Sequence, residues 1–282
     1  MRKRLVAVVV AVVAAVFGTT AVSASSNEND SPGHYYLALG DSLAYGFQEA
    51  KFNAEVAAGH VDAATFNTGY VDDFAAKLRT IQDRISTVNL GCPGETTASY
   101  FVGCAWHASL GLPLHKTYVG SQEAAALAFL KRHRHQVGVI TLDNGANDTT
   151  PCLTSPDPAC FPNALAQVAT NLNRALGELR HAAPHAEIIV MQYYDPFALI
   201  APTSLATTQA LNNAIGTAAA ANGAKVADAF TPFNLAPPQP ATLCALTLFC
   251  TALHDIHASD AGYAVIAQQF WQASGFQPEE DD

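Results

Sequence analysis

The stretch Tyr35-Tyr36-Leu37-Ala38-Leu39-Gly40-Asp41-Ser42-Leu43-Ala44-Tyr45-Gly46-Phe47 decides how the rest of the chain is read. Its apolar run, Tyr36 to Leu39, reads as a short buried strand, and Gly40 permits a sharp turn into a helix that begins near Ser42. A hydroxyl there lies at the carboxyl edge of a sheet. Backbone N–H groups and the positive end of the helix dipole can meet an anion at the same place. Two readings of Ser42 stand on this stretch alone: a nucleophile, or a residue that caps the following helix.

Outward from this stretch, strands and helices alternate. Helical spacing of Val71, Phe74, Ala75 and Leu78 predicts a helix over 69–80, and a second strand covers 85–90. Helix 122–134 leads into strand 137–142. The most regular pattern in the chain, Leu165, Val168, Ala169, Leu172, Ala175, Leu176 and Leu179, predicts a helix over 165–180. Strand 187–193, helix 205–221 with an Asn222-Gly223 stop, strand 225–230, a Pro-rich loop and a final helix over 260–272 complete the order. Such alternation implies right-handed βαβ units. The fold class expected is α/β, a three-layer, flavodoxin-like five-stranded parallel sheet with helices on both faces. Ligands in such folds bind beyond the carboxyl ends of the strands, where the turns at Ser42, Gly94 and Asn147 converge. Region 48–68 has no clear period and is a candidate wall of the substrate cleft. The segment 104–118, apolar at Trp106, Leu110, Leu112, Pro113 and Leu114, either lines an acyl pocket or packs on the domain.

The N-terminus carries Arg2, Lys3 and Arg4, an apolar stretch from Leu5 to about Phe17, and the small-residue pattern Ala21-Val22-Ser23-Ala24. This reads as a signal peptide over 1–24, with an uncleaved anchor as the competing reading. A polar segment over 25–33, expected to be disordered, precedes a domain over 34–276 and an acidic tail over 277–282. The leader holds three of the 14 basic residues and none of the 24 acidic ones. The acidic remainder argues against nucleic acid or anionic lipid as the main partner. No other segment is apolar enough to insert stably in a membrane, so the mature chain is expected to be secreted and monomeric. Cys92/Cys104, Cys152/Cys160 and Cys244/Cys250 are three pairs close in sequence. Six cysteines allow fifteen pairings, and the spacing favours these three local disulfides, each stabilising by roughly 2–3 kcal/mol if unstrained. Zinc is the rival reading, but no CxxC pair occurs, and His254 with His257 lacks a third ligand of convincing spacing. No metal is expected.

A nucleophilic serine needs a base, and His257, in a loop before the last helix, can return to the same edge. Gly40-Asp41-Ser42-Leu43, Gly94 before Glu95-Thr96, Gly145-Ala146-Asn147-Asp148 and Asp255-Ile256-His257 follow in that order. In sequence and separation they resemble the four blocks of the GDSL, or SGNH, hydrolase superfamily of secreted esterases and lipases, over essentially the whole mature chain. The Gly-x-Ser-x-Gly signature of another hydrolase fold is absent, because Ala44 stands two residues after Ser42.

The resemblance implies the SGNH hydrolase fold and a serine esterase that needs no cofactor. It implies Ser42 as nucleophile, His257 as general base and then acid, and an oxyanion hole from the Ser42 and Gly94 backbone N–H groups and the Asn147 amide. One position departs from the family: the aspartate usually found three residues before the histidine is replaced by His254, while Asp255 stands at minus two. Three readings follow: Asp255 orients His257, a main-chain carbonyl near His254 does so, or activity is reduced. Asp255 is taken as the third catalytic residue. The expected substrate is a small-molecule or lipid carboxylic ester. A carbohydrate O-acetyl ester is the enzyme alternative, and a catalytically impaired secreted binding module is the alternative of another class.

Overall fold

The computed structural model describes residues 33–201 and 203–277. The expected leader and most of the polar segment and acidic tail lie outside them. Of the segment expected to be disordered, Gly33 is described and is ordered, paired with Val137 in an isolated antiparallel bridge.

Five strands, β1 (Tyr35–Gly40), β2 (Ser86–Asn89), β3 (Val137–Asp143), β4 (Glu187–Gln192) and β5 (Lys225–Asp228), form one sheet in the order β2-β1-β3-β4-β5. All four pairings are parallel. The buried runs Tyr36–Leu39 and Ile188–Met191 show why: strands covered on both faces read as continuous apolar stretches. The helices form two groups. Tyr70–Leu78 packs against the final helix Asp260–Ser274, with Tyr70 stacked on Phe270 at 4.7 Å, while Cys160–Ala182 packs between Gln122–Arg132 and Ser204–Ala221. This is the doubly wound α/β arrangement expected from the alternation, with the strand ends at Gly40, Asp143 and Gln192 on one edge.

The helix Glu49–Ala57 lies in a region without visible period, because none of its residues is fully buried. Its Phe52 joins a satellite core of Tyr45, Phe66, Leu114, Phe47, Val61 and Trp106. Segment 104–118 therefore packs on the domain: Trp106 meets the rings of Phe47 and Phe52 at 5.6 and 5.2 Å. The cysteines pair as Cys92–Cys104, Cys152–Cys160 and Cys244–Cys250.

Gly40 lies opposite Asp143 in the β1–β3 register and has φ +140°. A Cβ there would stand 2.3 Å from Asp143 Oδ1. Gly40→Ala is expected to lower the unfolding free energy by roughly 2–4 kcal/mol, from strain plus overpacking, as read by urea denaturation. A loss under about 1 kcal/mol would contradict this tight turn.

Candidate active site

The turn after β1 is held from below by acids. Asp41 caps the one-turn helix Ser42–Tyr45, its Oδ1 accepting from Leu43 N at 2.9 Å, while its Oδ2 accepts from the Tyr193 hydroxyl at 2.7 Å. Asp143 Oδ1 accepts from the Tyr70 hydroxyl at 2.5 Å, and its Oδ2 accepts from the amides of Asp41 and Ala44, both at 3.3 Å. Burial raises the pKa of both acids. Asp143 is pushed well above the usual carboxylate range, by burial and then by the charge of Asp41, while hydrogen bonds restrain the rise of Asp41. Two buried carboxyls side by side oppose each other's ionisation, and the upward push is stronger on Asp143. Ser42 thus sits on a helix N-terminus whose cap has both carboxyl oxygens bonded.

His257 reaches Ser42 from 215 residues away, with Nε2 at 2.9 Å from Ser42 Oγ. Asp255 Oδ1 accepts from His257 Nδ1 at 2.5 Å and from His257 N at 3.1 Å, and its Oδ2 accepts from Glu49 N at 2.7 Å. Burial alone would raise the Asp255 carboxyl. The bond and charge of His257, with the Glu49 and His257 amides, outweigh it and hold Asp255 below its ordinary value. With Nδ1 donating to Asp255, Nε2 is left as the acceptor for the Ser42 hydroxyl. His254 points elsewhere: it is exposed, its φ is +50°, and its Nδ1 lies 3.1 Å from Phe249 O. The ring of Phe47 flanks His257 at 4.8 Å.

The turns after β2 and β3 are clamped together. Asn147 Nδ2 donates to Glu95 O at 2.9 Å, and Asp148 accepts from Thr97 N and Oγ1 at 2.8 and 2.6 Å. Cys92 N donates to Gly40 O at 3.0 Å, which brings this loop against the end of β1. Gly94 has φ +79° and is exposed, with open space where a Cβ would lie, so its backbone conformation rather than crowding favours glycine. It is not among the residues that line the cleft at Ser42.

That cleft encloses about 680 Å³ including its open mouth. Ser42, Asn147 and His257 line it together with the apolar Leu153, Phe161, Phe197, Leu211 and Ile256 and the hydroxyls of Thr149, Thr150, Thr207 and Thr208. Neither 48–68 nor 104–118 contributes, so the expected candidate wall at 48–68 is corrected: those residues close the satellite core. The walls come from segments whose apolar residues are too sparse to stand out in sequence.

Several supports also escaped sequence reading. Gln122 Oε1 accepts from Gly40 N at 2.7 Å, and its Nε2 donates to Gly40 O at 2.9 Å and to Glu95 Oε2 at 3.2 Å. Ser99 donates to the other Glu95 oxygen. A polar side chain opening an amphipathic helix and an acid ending an apolar strand, Gln122 and Asp143, were the available signals. No cluster of three or more metal-ligating side chains occurs among the described residues.

Residues 38–265 match the profile of the GDSL-like Lipase/Acylhydrolase family. No curated protein matches the sequence. Among solved structures, the chain is similar to an acetylxylan esterase from Geobacillus stearothermophilus, with a TM-score of 0.58 and 18% identity over 90% of this chain and 100% of that one. A lipase from a goat rumen metagenome gives a TM-score of 0.58 and 18% identity over 87% and 99% of the two chains. An alpha/beta hydrolase from the metagenome of Lake Arreo, Spain, gives 0.55 and 19% over 87% and 96%. At these identities the likeness is one of fold.

Burial, followed by nearby acids, raises Glu95 from an ordinary 4.5 to about 7, despite the bonds from Ser99 and Gln122. A folded-state pKa above the unfolded one stabilises fully below the unfolded value, and the contribution is lost as pH rises through the folded one. The wild type should therefore lose stability between pH 4.5 and 7. Glu95→Gln, free of this ionisation, should gain about 3 kcal/mol on the wild type across that window, read from urea midpoints. A difference independent of pH would contradict the assignment.

Proposed function

The chain belongs to the GDSL-like lipase/acylhydrolase family and is a carboxylic ester hydrolase, and from that premise we propose that it cleaves carboxylic esters through an acyl-enzyme on Ser42. The observation that carries this reading is the continuous chain Asp255–His257–Ser42, bonded at 2.5 and 2.9 Å, with Ser42 and His257 lining the cleft. Ser42 Oγ attacks the ester carbonyl as its proton passes to His257 Nε2. Asp255 keeps the imidazole in the required tautomer and stabilises the imidazolium that forms. The negative charge that develops on the carbonyl oxygen is received by the Ser42 N–H, at the helix N-terminus, and by the Asn147 amide hydrogen not engaged by Glu95 O. The family resemblance adds the Gly94 N–H as a third donor, although Gly94 does not line the cleft here. As the tetrahedral intermediate collapses, His257 returns the proton to the departing alcohol. Water then repeats the attack on the acyl-enzyme, with the same base, and releases the acid.

The minus-two aspartate fills the role that its usual neighbour at minus three would have. Its backbone geometry is specific: Asp255 Oδ1 bonds both the ring and the amide of His257, an arrangement available at a separation of two. The apolar walls favour esters of an apolar acid. An O-acetyl ester of a carbohydrate is the second reading, favoured by the likeness in fold to an acetylxylan esterase. The three disulfides fit an extracellular enzyme, and the basic, apolar and small-residue order of the first 24 residues extends the proposal to secretion.

Hydrolysis of p-nitrophenyl esters from acetate to palmitate tests the reading. Ser42→Ala should abolish turnover, and a rate maximum beyond acetate should separate an acyl-chain cleft from an acetyl esterase. Should the wild type and Ser42→Ala be equally inert on every ester, the proposal fails. Asp255→Asn should lower kcat by roughly 10³–10⁴ through the wrong tautomer, with KM little changed. His254→Ala should leave kcat unaltered; the reverse pattern would assign orientation of His257 to the His254 segment instead.

A further inference from the structure

Resting on the ester-hydrolase reading above, we infer that the rim of the cleft is a docking surface for a neutral lipid aggregate, so that esters are drawn from its surface and not only from solution. Leu153 and Ile256 line the cleft, yet 41% and 36% of their surface remains exposed. Ile200, 71% exposed, ends the turn that begins with the cleft residues Pro196 and Phe197. Leu253, 45% exposed, precedes Ile256 by three residues. Large apolar side chains thus stand in water on three segments that contribute to the cleft.

Charge decides what fits there. No lysine or arginine occurs in 135–173, 181–224 or 226–282, which contain every cleft wall except the Ser42 turn. Across the rim segments 149–161, 193–208 and 251–257, the exposed ionisable side chains among the described residues are Asp157 and His254. Asp195 and Asp255 are buried and bonded. Binding to an anionic surface requires cations that this rim lacks, and the chain as a whole carries a formal charge of −10. An uncharged interface can instead receive several aliphatic side chains with no ion pair to desolvate. The geometry is productive, because Leu153 and Ile256, part-exposed to water, line the same cleft as Ser42.

The test uses two readouts at pH 8. Flotation of the Ser42→Ala protein with phosphatidylcholine vesicles measures docking without hydrolysis, and vesicles containing phosphatidylglycerol measure the effect of surface charge. Ile200→Ser with Leu253→Ser, neither a cleft-lining residue, should lower the vesicle-bound fraction about tenfold, as expected for two apolar side chains withheld from an interface. The same pair in active enzyme should slow hydrolysis of p-nitrophenyl palmitate held in phosphatidylcholine vesicles to a similar extent, while soluble p-nitrophenyl acetate is cleaved as by the wild type. Anionic vesicles should bind less protein than neutral ones. The inference is overturned if the protein does not float with phosphatidylcholine, if the double variant floats equally well, or if anionic vesicles bind more. It is also overturned if light scattering finds a wild-type dimer that the double variant loses, since the rim would then be covered by a second copy. Failure of the ester-hydrolase reading is distinct: soluble acetate would be hydrolysed equally with and without Ser42.

Discussion

Asp41 and Asp143, two carboxyls buried side by side beneath the first turn, constrain the whole carboxyl edge of the sheet. Between them they accept from Leu43 N, the Tyr193 hydroxyl, the Tyr70 hydroxyl, and the amides of Asp41 and Ala44. Burial and mutual repulsion oppose ionisation of this pair, and the donors around it hold both carboxyls in place. The outcome is a nucleophile turn with no slack: Gly40 cannot carry a side chain because Asp143 occupies its space, and Ser42 is fixed at a helix N-terminus.

The base arrives from 215 residues away, and its position depends on bonds between distant segments. Gln48 Nε2 donates to Ala258 O, Glu49 N donates to Asp255 Oδ2, and Tyr263 Oη donates to Phe47 O. Residues 47–49 therefore grip the segment that bears His257 from both sides, immediately after the helix that bears Ser42. A second bridge, from Gly40 through Gln122 to Glu95, and from the Glu95 carbonyl to Asn147, ties the loops after β2 and β3 to the nucleophile strand. Nucleophile and amide thereby stand on turns that follow β1 and β3, and the loop that carries the base is tied to them by these bonds.

The sheet was legible in sequence because its signals are local: continuous apolar runs at 36–39 and 188–191, and a long apolar stripe over 165–179. Strand ends were overextended by a residue or two, at 85–90 and 225–230, because apolar flanks such as Leu90 and Phe230 are buried just beyond the paired strands. The helix Glu49–Ala57 escaped, since a helix that fully buries none of its residues has no period to show. Motif spacing located Ser42, Asn147 and His257 at one cleft, and Asp255 was taken over the His254 segment without a geometric reason for the choice. That choice depends on side-chain direction, and the φ of +50° at His254 turns its ring toward Phe249. Gln122 was legible only as a polar residue opening an amphipathic helix, and the roles of Glu95 and Tyr193 were hidden because Gln122 and Asp41, which they bond, lie 27 and 152 residues away.

The most direct test of the account is covalent. A fluorophosphonate reacts with a serine hydroxyl only when a base removes its proton and donors receive the oxyanion-like phosphoryl oxygen. Intact-mass measurement of the labelled protein, followed by peptide mapping, should find one adduct per chain on Ser42, and none in His257→Ala. Absence of labelling in the folded wild type, attachment at another residue, or undiminished labelling without His257 would contradict the assignment of Ser42 and His257 as a working pair.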